Sequence, residues 1–100
     1  MAMLHTVNKS PFQSNAFDAC LGLAKSGSTV LLFEDGVYAA TVGTSVADKI
    51  AKADGITFAV LGPDARARGI ESKLADGIKV VDYDGFVELV AESDKVQAWL

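Results

Sequence analysis

From Val30 to Val37 the chain reads Val-Leu-Leu-Phe-Glu-Asp-Gly-Val: four apolar residues, two carboxylates, a glycine and a new apolar residue. Such a run, ending abruptly, predicts a strand buried on both faces, and therefore a parallel sheet lying between helices. The same apolar grouping predicts three more strands: Met3 to Val7, Ile56 to Leu61 and Ile78 to Asp82. The strand opening at Thr29 extends to Glu34. Between the strands the apolar spacing turns helical. Ser14 or Asn15 can cap a helix that runs to about Ser26 and ends at Gly27. Val37 to Val42 suggests a helical turn, and Ser45 can cap a segment from Val46 to Ala53. Pro63 suits the first turn of a short helix over Asp64 to Arg68, and Asp84 can cap a last helix from Gly85 to Glu92. Gly69 to Gly77 has no readable pattern, and Lys95 to Leu100 reads as a tail.

Strand and helix alternate throughout, so the expected fold is α/β: a small three-layer α/β/α sandwich with a mainly parallel sheet of about four strands. One hundred residues predict one domain, spanning 1–100. Half of the residues are hydrophobic, which is high for a small monomer and suggests that other subunits cover some apolar surface. The net charge is −4 with neither sign collected into a block, so direct nucleic-acid binding is not expected.

One cysteine excludes an internal disulfide, and one cysteine with one histidine cannot close a structural zinc site. No cofactor and no metal are expected. The first residues lack a basic region followed by a long apolar core, and no apolar run approaches membrane-spanning length. The expectation is a soluble protein of a reducing cytoplasm. The phosphate loop Gly-x-x-x-x-Gly-Lys-Ser/Thr, the dinucleotide signature Gly-x-Gly-x-x-Gly and the nucleophile elbow Gly-x-Ser-x-Gly do not occur.

Loops at the carboxyl ends of parallel strands are where ligands usually sit, which draws attention to Glu34, Asp35 and Gly36. The two acids are adjacent, so on extended backbone their side chains diverge and make a poor acid–base pair; Asp35 reads better as a helix cap or turn anchor. Cys20 is the one good nucleophile by composition. At about 100° per residue from Ala16 it lies at roughly 40°, inside an apolar arc from roughly 300° through zero to 140°. A thiol there is desolvated and little ionised, the state of an inert core cysteine; the alternative, a persulfide carrier, needs solvent access and a group that favours thiolate. His5 is either a proton shuttle for Cys20 or the Glu34–Asp35 loop, or a strand histidine held by local hydrogen bonds. Arg66 and Arg68 can hold an anion or a partner's carboxylate, or simply form a solvated face. Trp99 is either docked on its own domain or an interface anchor, and the hydrophobic fraction favours the interface.

Five stretches carry a resemblance. Leu4-His5-Thr6-Val7-Asn8-Lys9-Ser10-Pro11-Phe12, Leu31-Leu32-Phe33-Glu34-Asp35-Gly36-Val37, Ala67-Arg68-Gly69, Val81-Asp82-Tyr83 with Phe86-Val87, and Gln97-Ala98-Trp99-Leu100, in this order, resemble the DsrH/TusB family of sulfur-relay proteins. The resemblance implies a cytoplasmic subunit that assembles with homologous DsrE-like and DsrF-like subunits into a heterohexamer. Such complexes pass persulfide sulfur to a DsrC/TusE-like acceptor, with the principal sulfur-carrying cysteine on the DsrE-like partner. One branch serves thiolation of the tRNA wobble uridine and the other serves dissimilatory sulfur oxidation. Cys20 and the Val7-Asn8-Lys9-Ser10 opening resemble the sulfur-oxidation branch. Under the resemblance Cys20 is a candidate persulfide carrier, and a purely structural assembly role is the alternative.

Overall fold

The computed structural model describes residues 3–99. Its centre is a parallel sheet in which β1 (Met3–Val7), β2 (Thr29–Leu32), β3 (Thr57–Leu61) and β4 (Lys79–Val81) lie side by side. A fifth strand, β5 (Lys95–Trp99), pairs parallel to the free side of β1, with His5 opposite Gln97 and Val7 opposite Trp99. The order is therefore β4-β3-β2-β1-β5. The expected parallel α/β architecture holds, with one strand more than the pattern predicted.

This order decides where the helices go. The steps from β1 to β4 each move one place in one direction, whereas the step from β4 to β5 returns across the whole sheet. Right-handed crossovers then put α1 (Ala16–Leu23), α2 (Ser45–Lys52) and α3 (Gly62–Ala67) on one face and α4 (Tyr83–Glu92) alone on the other. The packing agrees. Phe17 and Cys20 of α1, Val46 and Ile50 of α2 and Ala65 of α3 share one core with Val7, Val30, Leu32, Phe58 and Val60. A smaller core on the opposite face joins Leu4, Leu31, Ala59, Leu61 and Val81 to Phe33, Phe86 and Leu89.

Several boundaries move, each for a local reason. Helix α1 stops at Leu23, not near Ser26, because Ala24 is already extended and Gly27 (φ 92°) turns the chain so that its N–H donates to the Gly55 carbonyl at 2.7 Å. Thr44, not Ser45, caps α2: its Oγ1 accepts from the Ala47 N–H at 3.1 Å. Asp82, not Asp84, caps α4, accepting from the Gly85 N–H at 2.8 Å, so the helix begins two residues before Gly85. The unreadable segment after Gly69 holds a short 3₁₀ turn, Glu71–Lys73, followed by an antiparallel bridge from Leu74 to Thr41. Among the described residues no helix is long and apolar enough to cross a membrane.

Candidate functional site

At the carboxyl edge of the sheet the Glu34–Asp35–Gly36 loop folds as the start of a 3₁₀ helix, Glu34–Ala40. Strand β2 ends at Leu32, two residues earlier than the apolar run suggests, and Glu34 sits at φ 48°. That left-handed conformation is uncommon for a residue with a Cβ. It is held from outside: the Glu34 N–H donates to Asp64 Oδ2 at 2.7 Å, from the first turn of α3. Gly36 is required for a different reason. A Cβ there would collide with the Val7 carbonyl oxygen, so the loop passes against the end of β1 only without a side chain.

Two ion pairs join charged groups of this edge within the chain. Arg68 Nε donates to Asp35 Oδ1 at 2.9 Å, and Arg66 Nη1 to Glu71 Oε2 at 3.0 Å. Asp35 thus ties its turn to Arg68 at the end of α3 and makes no side-chain cap bond to the 3₁₀ helix. Arg66 and Arg68, read either as holding an anion or a partner's carboxylate or as a solvated face, each hold a carboxylate of their own chain. Such half-exposed pairs contribute little to stability, but they fix α3 and the segment after it against the 3₁₀ helix.

Cys20 has no exposed surface and lies in the core between α1 and the sheet. Burial pushes its thiol pKa up from 9.0 to about 11. At pH 7 a thiol with that pKa is ionised to the extent of about one part in 10⁴. No hydrogen bond joins it to His5 among the described residues.

His5 is instead tied to Trp99. The indole Nε1–H donates to His5 Nδ1 at 3.1 Å, and the ring centroids stand 6.1 Å apart. Because Nδ1 accepts, the imidazole is the neutral Nε2–H tautomer. Nε2 is buried and has no hydrogen-bond partner among the described residues, and burial lowers the pKa of the ring below 6.5. Trp99 also packs against the larger core, so it docks on its own chain, against the slight preference for an interface anchor. The pair lies 94 residues apart in sequence, and the pairing of β5 with β1 makes it.

No group of three or more histidine, cysteine, aspartate or glutamate side chains that could hold a metal ion occurs among the described residues. The arrangement therefore offers a protonated buried thiol, a neutral buried imidazole and two surface ion pairs.

Comparison with known proteins places this geometry. A family model described as DsrH like protein matches residues 9–96. Curated relatives called Protein TusB match over 97 residues, 97% of this chain and all of theirs: 33% identical in Pectobacterium parmentieri and 37% in Erwinia tasmaniensis. Among solved structures the ychN protein from E. coli superposes with a TM-score of 0.86 at 19% identity, covering 98% of both chains, which supports the fold. The family expected from the five stretches is thereby established: this chain belongs to the DsrH/TusB family of sulfur-relay proteins.

Proposed function

We propose that this chain is a cytoplasmic assembly subunit of a hetero-oligomeric sulfur relay, built with DsrE-like and DsrF-like subunits, and that its own cysteine stays out of the transfer. Family membership supports the relay. The observation that carries the second half is the complete burial of Cys20, with its thiol pushed up to about 11.

Sulfur transfer in such a relay is a displacement. The acceptor's thiolate attacks the outer sulfur of a donor persulfide, a new S–S bond forms, the old one breaks, and the donor leaves as thiolate with no net oxidation. The receiving cysteine must be an exposed thiolate and the donating one an exposed persulfide, and Cys20 offers neither exposure nor ionisation. The carrier belongs to a partner, and this subunit helps to hold that partner in a state that can hand sulfur to a DsrC/TusE-like acceptor.

For the destination, Cys20 and the Val7-Asn8-Lys9-Ser10 opening favour dissimilatory sulfur oxidation. Thiolation of the tRNA wobble uridine is the second reading, favoured by the TusB name of the curated relatives. Size-exclusion chromatography of the chain alone and with both partner subunits tests the assembly: the expected result is one co-eluting complex, and a monomer that ignores both partners overturns it. Deleting the gene separates the destinations. Loss of stored-sulfur oxidation with intact 2-thiouridine fits the first, and loss of 2-thiouridine fits the second.

A further inference from the structure

Helix α4 is apolar on two sides but is covered on one. At about 100° per residue, Phe86 and Leu89 point one way, and Tyr83, Val87, Val90 and Ala91 form a second stripe at positions i, i+4, i+7 and i+8. Phe86 and Leu89 meet the sheet. The second stripe is open: Tyr83 is 60% exposed, Val87 66% and Val90 41%. Phe12, Leu23 and Val42, the exposed apolar residues on the other face's connections, stand on separate elements and need no explanation.

Beside the stripe runs a ridge of carboxylates, Asp84, Glu88 and Glu92, at i, i+4 and i+8. Between Val80 and Asp94 the sequence has five acids and no base, more negative charge than the net −4 of the whole chain. Acidic charge is thus concentrated here, contrary to the expectation of an even spread. Like charges four apart weaken a helix, and Glu92 stands in the last turn, where the helix dipole disfavours it. No described lysine or arginine forms an ion pair with the ridge. A broken local rule that no described ion pair offsets points to compensation from outside.

We infer that the outer face of α4 docks a different protein, whose apolar helix or patch is bordered by lysine or arginine. A second copy pairing through the same face is a poor occupant: that face presents acids and no base between Val80 and Asp94, so such self-pairing gains no counter-charge. The inference rests on the relay reading and specifies which surface the assembly uses.

The test is co-elution and titration of the full-length chain with the DsrE-like and DsrF-like subunits, comparing wild type, Val87→Asp, and Glu88→Lys with Glu92→Lys. Both variants change exposed side chains, and circular dichroism with thermal melting verifies that they fold. The expected results are a loss of at least tenfold in affinity for Val87→Asp, and a several-fold loss for the charge reversal together with a flatter dependence on salt. Unchanged affinity in both variants overturns the inference while leaving the relay reading intact. Failure of the wild-type chain to bind either subunit removes both. Self-association of the isolated chain that Val87→Asp abolishes shows a second copy as occupant, and also overturns it.

Discussion

The two faces of the sheet are finished differently. One is closed by α1, α2, α3 and the 3₁₀ helix, whose inward side chains are almost all inaccessible: Phe17 is 1% exposed, and Cys20, Val37, Ala39 and Ala40 are not exposed at all. The other is closed by α4 alone, which has no buried residue. Topology is the cause. Three connections of one strand step each stack their helices over the first face, while one return connection serves the second. Four strand spacings of about 4.8 Å span about 19 Å, longer than the roughly 15 Å rise of a ten-residue helix. A helix stretched across a sheet in this way cannot bury both of its apolar stripes. The closed face therefore holds most of the buried core, Cys20 included, and the thin face leaves apolar side chains of α4 exposed.

Truncation on the two faces should cost unequal amounts. Phe17→Ala removes a fully buried ring and should destabilise the isolated chain by about 3–5 kcal/mol in urea unfolding, whereas Phe86→Ala, on a half-covered ring, should cost about 1–2 kcal/mol. Equal losses would erase the distinction between the faces. Trp99→Ala comes next, at about 2 kcal/mol, since it removes a half-buried indole and its bond to His5. A lower melting temperature of the isolated subunit is the expected readout. An unchanged one, with weaker assembly, would return Trp99 to an interface role.

Acid acts on the same tether. His5 has its pKa lowered in the folded chain, so below about pH 6.5 the unfolded chain binds a proton that the folded one refuses. Stability should be level above that pH as far as His5 is concerned and fall below it, at most by about 1.4 kcal/mol per pH unit, until the folded pKa is passed. His5→Phe should flatten this slope in denaturation curves from pH 7 to 5. Cys20 acts at the other end. Its pKa is raised, so its contribution is complete below 9.0 and is lost as pH rises towards about 11. The smallest effect belongs to the thin face: Val87→Asp should change the stability of the isolated chain by no more than about 0.5 kcal/mol, because the side chain already faces solvent.

The closed face was the more legible of the two in the sequence. Strands buried on both sides are continuous apolar runs, so β2 and β3 stand out, and helical spacing alone puts Cys20 in the middle of the apolar arc where the structure buries it. In the stretch from Val30 to Val37, Glu34 and Asp35 form the pivot where β2 turns under α3, held by Asp64 and Arg68, and Gly36 lets the pivot pass Val7. Strand β5 was not legible. Lys-Val-Gln-Ala-Trp is an edge strand exposed over its first four residues, with no core pattern to announce it, and only its pairing with β1 defines it. The His5–Trp99 bond was hidden for the same reason. The ridge on α4 could have been read directly, since five acids and no base between Val80 and Asp94 are visible in the sequence.

Intact-mass spectrometry of the assembled complex, after exposure to a persulfide donor, tests the central claim most directly. The account predicts a gain of about 32 Da, one sulfur atom, on a partner subunit and none on this chain. A gain of about 32 Da on this chain that Cys20→Ser removes would contradict it.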